Sequence, residues 1–365
     1  MKLFRGRNRL ACVVCALSGL STGPAWGQAQ TAATTAATAV SHNSSYIQPD
    51  GTAHVGRIVP VPQSLSPQGQ ATLRRPATDA DVQEPLEKRR AMTDAYTARA
   101  EKQWRKVCPV TVSNDTMAGV PVRRITPLHV PKANAGKVLL DLHGGGFDSD
   151  SGSYTETIPI AYYARVPVVA ALYRLAPEHP YPAAVDDAVA VYRELLKTHK
   201  PEQIAIYGTS AGAILTAEVA VRLKQLNLPE PAALGLFSVL ADYSRTGDSH
   251  QIFTLNGFPG GLKPTDPRAP IGDEYARTTD RHDPVLSPIF ADLKGMPPSL
   301  LVTSSRDLLL SDTALFHRAL LRAGDNAQLV VFEALPHAFW YHFQLPETTE
   351  ALNIMSKFFR ENVGH

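Results

Sequence analysis

Residues 203–215 read Gln203-Ile204-Ala205-Ile206-Tyr207-Gly208-Thr209-Ser210-Ala211-Gly212-Ala213-Ile214-Leu215, and within two residues a β-branched apolar run gives way to an alanine-rich one. That pattern predicts a strand feeding straight into a helix, with Ser210 at the corner. So sharp a corner strains the serine backbone, and only very small residues two positions to either side let strand and helix approach each other. Gly208 and Gly212 stand there. Ser210 is therefore the candidate nucleophile. An ordinary β-α turn with a serine N-cap would fit the same five residues, so the reading needs a second signal.

That signal lies upstream, where a strand-like run, 137–142, leads into His143-Gly144-Gly145-Gly146-Phe147. Three successive glycines leave backbone N–H groups unshielded by any Cβ. In acyl transfer the carbonyl oxygen gains charge at the tetrahedral stage, and each preorganised N–H in a dry site lowers the barrier by ~3 kcal/mol. Gly144 and Gly145, joined by the N–H of Ala211, are the expected oxyanion donors. His143 is expected to orient the loop through its ring nitrogens.

A serine hydroxyl needs a base, and the base needs an orienting acid. In a fold of this kind the order is serine, acid, histidine, each at the end of a later strand. Asp307 follows the strand 299–303 by a short turn, and His337 follows the strand 328–333 by Ala334-Leu335-Pro336. Both are placed at carboxyl ends of strands, the edge where open α/β sheets bind ligands. Asp312 is the rival acid, but its place before Ala314 and Leu315 reads as a helix N-cap. His179, in a proline-rich turn, and His342, in an aromatic cluster, are the competing histidines. Asp307 and His337 are the acid and base assigned here.

Strand-like runs (138–142, 166–173, 204–207, 233–240, 300–303, 329–333) alternate with helical ones (183–196, 211–226, 312–323, 348–359) after a hairpin over 110–125. Nearly continuous apolarity in the strands predicts a mainly parallel sheet covered on both faces by helices, an α/β fold. Upstream, Leu86, Met92, Tyr96 and Trp104 mark an amphipathic helix over 84–107, expected to belong to a helical cap spanning 76–107. The catalytic domain is expected over 108–365, with the Gly- and Pro-rich stretch 242–281 as a second cap segment.

At 365 residues, 44% hydrophobic and 19% charged, the chain can bury a full core. Residues 1–27 read as a removable signal peptide: Lys2, Arg5, Arg7 and Arg9 precede an apolar run, 10–20, and Ala25-Trp26-Gly27 offers small cleavage residues. The apolar run is too short to span a bilayer, so the protein is expected to be exported, periplasmic or secreted, without an integral membrane segment. Losing these four basic side chains takes the net charge from +2 to about −2, which removes any electrostatic case for nucleic acid. Residues 28–75, rich in Ala, Thr, Ser and Pro, read as a flexible linker. Of the three cysteines only Cys108 lies beyond the signal, and it reads as a small buried hydrophobe. No cluster has metal-ligand spacing, and neither metal nor cofactor is expected.

From Glu84 to Val363 the sequence resembles the hormone-sensitive-lipase-like branch of the α/β-hydrolases. The resemblance is carried by the glycine loop at His143, by Tyr173-Arg174-Leu175-Ala176-Pro177-Glu178-His179 continuing to Pro182 and Asp186-Asp187, and by the turn at Ser210. Asp283-Pro284 with Ser287-Pro288, Pro297-Pro298 and His337-Ala338-Phe339 add to it. Many relatives have Asp where Thr209 stands and glycine where Ala213 stands, so the chain resembles the Gly-Thr-Ser-Ala-Gly subgroup, whose acid lies in a run like Arg306–Asp312. The resemblance implies hydrolysis of carboxylic esters through an acyl-enzyme, with a small-molecule ester, expected to be of short to medium acyl chain, as substrate; relatives often pair through the sheet edge, and the oligomeric state is left open between monomer and homodimer. Opening of lactones by the same triad is the alternative. A non-catalytic receptor of the same fold would have no use for a base at His337, and nothing marks a peptidase.

Overall fold

The computed structural model describes residues 45–56, 58–74, 84–254, 256–257 and 273–364. The signal peptide, the first part of the linker and most of the tip of the 242–281 segment lie outside the described residues. Before Pro60, two-residue strands β1 (Tyr46–Ile47) and β2 (Ala53–His54) pair as an antiparallel ribbon. From Pro60 onward the chain forms a second unit, which holds every element that follows.

Helix α1 (Pro67–Leu73) and the long α2 (Leu86–Val107) precede the sheet. Strands β3 (Val110–Met117) and β4 (Val120–Pro127) form the expected hairpin, longer than predicted. The turn is Ala118-Gly119, with φ of 50° and 85°, the pair of positive angles that lets a two-residue loop follow the strand twist. Thereafter come β5 (Val138–Leu142), α3 (Thr157–Ala164), β6 (Val168–Ala171), α4 (Ala183–Leu195), β7 (Ile204–Thr209), α5 (Ala211–Gln225) and β8 (Ala233–Phe237). The short α6 (Asp248–Ile252) and α7 (Asp273–Ala276) precede β9 (Ser299–Ser304), α8 (Leu310–Ala323), β10 (Ala327–Phe332) and α9 (Pro346–Asn362).

The eight-stranded sheet runs β10-β9-β8-β7-β5-β6-β4-β3. The pairs from β10 through β6 are parallel, and β4 and β3 join antiparallel. Side chains of β5, β7, β8 and β9 are buried throughout, as interior strands covered on both faces must be. Residues of α4, α5 and α8 share one apolar cluster with one set of strand side chains; those of α3, α9 and Trp104 of α2 share another with the alternate set. No helix among the described residues is long and apolar enough to cross a membrane.

The C-terminal end of the expected linker is not loose. Ser66 caps α1 by accepting from Gly69 N at 3.0 Å and, with Pro67 at the first helical position, fixes its start. The same serine bonds Glu347 of α9 through N at 2.6 Å and Oγ at 2.9 Å, and Leu65 is buried. Composition hid a helix that one capped turn and one buried leucine hold in place. A second correction concerns α2: Met92 is 59% exposed, and the buried residues are Thr97, Ala100 and Trp104.

Candidate active site

At the end of β7 the backbone of Ser210 takes φ 59°, ψ −122°, with its N–H bonded to Phe237 O at 2.9 Å. A non-glycine residue held there costs on the order of 1–3 kcal/mol. The flanking glycines are obligatory for a different reason: a Cβ on Gly208 or on Gly212 would collide with Leu142 O of the neighbouring β5. The strand-to-helix corner can pass that close to β5 only without side chains.

The ends of β8, β9 and β10 bring up the rest. Asp307, in the turn after β9, is buried and accepts from His337 Nδ1 at 2.8 Å, Thr303 Oγ1 at 3.1 Å, Leu309 N at 2.9 Å and Ser238 Oγ. Burial alone would raise its carboxyl, but the His337 charge and these hydrogen bonds outweigh it and leave the group below the usual value. His337 follows β10, and with Nδ1 bonded to Asp307 its other nitrogen, Nε2, is left buried and unpaired. Three residues on, Trp340 Nε1 donates to Thr209 Oγ1 at 3.0 Å, which ties the histidine turn to the residue before Ser210.

Asp312 is not the helix N-cap expected of it. Helix α8 begins at Leu310, which places Asp312 in its first turn, buried, with Oδ2 unpaired. Burial and the neighbouring Asp242 push its carboxyl up to about 7.

Between β5 and α3 the glycine loop is braced from both sides. His143 stacks on Tyr173 with ring centroids 4.1 Å apart and sets Nδ1 3.0 Å from Gly144 O, while Tyr173 Oη donates to His143 O at 2.5 Å. Both Gly145, at φ 120°, and Gly144 exclude a side chain, since a Cβ would meet Ser149 O or, at 2.7 Å, Thr209 O. The N–H groups of Gly144, Gly145 and Ala211 make no hydrogen bond within the described residues.

Helix α2 reaches this loop through charge rather than apolar contact. Arg90 forks onto Glu178 at 2.8 and 2.7 Å and also bonds Asp148 O at 2.6 Å and Ala176 O at 2.9 Å; Arg89 pairs with Asp148. The other end is seated by Trp104 against Phe343. Cys108 is free and buried, and burial pushes its thiol up to about 12, too high for a nucleophile.

Several residues of the site have no motif to announce them. Ser238 sits at φ 57° just past β8 and bonds Asp307. Ser249 and His250 of α6 lie beside the acid turn, and burial together with the charge of nearby His337 holds the His250 ring below the usual histidine value. Glu156, at the N-cap of α3, bonds Thr209 Oγ1. The one local trace of Glu156 is that it is the only acid between Gly152 and Ala164.

A family model described as alpha/beta hydrolase fold matches residues 139–341, a span that contains the glycine loop, Glu156, Ser210, Ser238, Ser249, His250, Asp307 and His337. An acetyl-hydrolase of Streptomyces hygroscopicus is 35% identical over 241 residues, 64% of this chain and 79% of that protein. The crystal structure of an esterase E25 superposes with a TM-score of 0.77 at 30% identity, covering 86% of this chain and 99% of the other. That of an esterase from the bacterial hormone-sensitive lipase family gives 0.63 at 28% identity, covering 74% and 98%. The chain belongs to the α/β-hydrolase fold family, in the hormone-sensitive-lipase-like branch of carboxylic ester hydrolases.

Proposed function

We propose that the protein hydrolyses carboxylic esters of short to medium acyl chain, with Ser210 as nucleophile, His337 as general base and Asp307 as its orienting acid. The observation that carries the reading is His337 held by Asp307 through Nδ1 at 2.8 Å with Nε2 left unpaired, at the sheet edge where Ser210 is presented. Ser210 Oγ attacks the ester carbonyl while its proton passes to His337 Nε2. The N–H groups of Gly144, Gly145 and Ala211 receive the charge on the carbonyl oxygen. Collapse breaks the C–O bond, and the His337 proton goes to the departing alkoxide. Water, deprotonated by the same nitrogen, then releases the acid from the acyl-enzyme.

Asp307 keeps the imidazole in the right tautomer and stabilises its cation. Helix α2 and the 242–281 segment serve as the cover that limits water at the acyl-enzyme. Thr209 and Ala213 support the Gly-Thr-Ser-Ala-Gly subgroup, and residues 1–27 support an exported location. The names of the relatives, an acetyl-hydrolase and esterases, support small acyl groups.

The test is kcat/KM over p-nitrophenyl esters from acetate upward and over simple lactones, with Ser210→Ala as the blank. Highest values on short to medium esters are expected. A preference for lactones would replace the ester reading, and equal rates for wild type and blank would end it.

A further inference from the structure

Asp141, on β5, and Glu156, at the N-cap of α3, are both buried on the face of the sheet that α3 and α9 cover. Strand register puts Asp141 beside Tyr207 of β7, and Thr209, two residues further along, faces the same side. Polar groups from three parts of the site converge on Glu156. Thr209 Oγ1 donates to Oε2, Tyr341 Oη donates to Oε1 at 3.1 Å, and the Thr209 oxygen in turn accepts from Trp340 Nε1 at 3.0 Å. The glycine loop closes the knot from above: a Cβ on Gly152 would strike Glu156 Oε1 and stand 2.9 Å from Gly144 N, and one on Gly144 would stand 3.2 Å from Tyr341 Oη.

Neither oxygen of Asp141 meets an N–H or O–H donor in hydrogen-bond geometry among the described residues. Its close neighbours are the Glu156 carboxyl and the Tyr207 hydroxyl. Two carboxyls buried side by side cannot both ionise, so at least one proton stays with the pair. Burial pushes both carboxyls up, Glu156 to about 8; the hydroxyls of Thr209 and Tyr341 offset part of that for Glu156, whereas the Glu156 charge adds to it and holds Asp141 well above the ordinary carboxyl range. Asp141 is therefore the carboxyl of the pair that holds its proton more tightly, and that proton is directed at Glu156. The nearest other charges, Asp150 and Arg123, are paired with each other at 2.5 Å.

We propose that Glu156 is a positioning residue: held from below by the proton of Asp141, it locks the Thr209-Ser210 turn, the glycine loop and the Trp340-Tyr341 turn into one register. Position 209 then needs a group that donates to Glu156 and accepts from Trp340 at once, and a threonine hydroxyl does both. The proposal rests on Ser210 being the nucleophile.

The experiment compares Glu156→Gln, Asp141→Ala and Asp141→Asn in the full chain, with kcat and KM measured separately and folding checked by circular dichroism. Glu156→Gln leaves one oxygen for two hydroxyl donors. It should lower kcat roughly ten- to a hundredfold, the scale of a misplacement of about 1 Å, with KM little changed. Asp141→Ala should also lose kcat, and Asp141→Asn should recover most of it, because its amide N–H donates where the acid proton did. Wild-type kcat in Glu156→Gln would overturn the proposal, as would Asp141→Asn no better than Asp141→Ala. If Glu156→Gln fails to fold, Tyr341→Phe, which removes one donor, should show the same fall in kcat, and an unchanged value overturns the proposal. Labelling with a fluorophosphonate separates the two readings. Wild type that neither turns over nor labels refutes the serine assignment, whereas active, labelled wild type with an indifferent Glu156→Gln refutes this proposal alone.

Discussion

Ser249 and Ser311 hold each other reciprocally: Ser249 N donates to Ser311 Oγ at 3.0 Å, and Ser311 N donates to Ser249 Oγ at 2.9 Å. Ser249 Oγ also donates to Leu308 O at 2.7 Å, and Gly247 lets the segments touch, since a Cβ there would run into Ser311 Cβ. Helix α6 is thereby pinned to the turn that carries Asp307. Ser249→Ala leaves part-buried partners unpaired, which costs about 1–3 kcal/mol, and should lower kcat more than it alters KM. Thermal melts and steady-state rates check both, and loss of stability with kcat intact would show that the latch does not reach Asp307.

Ser210→Ala should abolish turnover, by ~10⁶-fold on the scale of comparable hydrolases, with the fold intact. Ser210→Gly should be equally inactive yet melt higher than Ser210→Ala, because glycine removes the strain at φ 59° that costs on the order of 1–3 kcal/mol. A lower melting temperature for the glycine variant would mean that the turn is not strained.

Asp307 and Asp312 should separate by pH. Asp307 is held below its usual value, so it stabilises the fold above the unfolded carboxyl pKa, and that contribution disappears as pH falls through its folded value. Asp312 is raised to about 7, so the folded state keeps a proton that the unfolded state loses, and stability falls as pH rises from about 4 to about 7. Asp312→Asn should therefore be nearly neutral at pH 4 and stabilising at pH 8, by at most roughly 4 kcal/mol, with activity retained. Asp307→Asn should instead lose about 10⁴-fold in kcat. Melts across pH with parallel assays decide, and an exchange of these outcomes would make Asp312 the acid.

Truncation should find its limit between Pro60 and Leu73. Deleting residues 1–59 should leave rate and melting temperature unchanged, since the sheet and every residue of the site lie beyond them. Deleting residues 1–74 removes buried Leu65 and strips Glu347 of its Ser66 partners, a loss on the order of 2–4 kcal/mol. Equal melting temperatures for the two truncations would make α1 a bystander.

What the sequence disclosed follows from where each constraint acts. Gly208, Gly212 and Gly144 are forced by backbone passing backbone, and a position without room for a Cβ leaves a visible mark. The interior strands announce themselves by unbroken apolarity, and their bounds shift by only a few residues. Helix α3 stayed hidden because Thr157-Ile158-Pro159-Ile160-Ala161 is buried all round and so shows no amphipathic period; its proline is tolerated in the first turn. Glu156 and Ser249 act through partners 53 to 185 and 59 to 62 positions away. No local spacing encodes such a bond, and Ser66 shows that even a local cap is easily lost in a stretch judged by composition.

The place of β10 at the sheet edge bears on synthesis. Among the described strands it is the last to leave the ribosome, and His337, the proposed base, stands in the turn beyond it. A nascent chain can assemble β5, β7, the serine corner and the glycine loop and still be chemically inert, because nothing can yet take the serine proton. A product ended prematurely anywhere before His337 would be equally silent, however well it folded. Hydrolysis thus reports that synthesis and folding have passed His337, the proposed base.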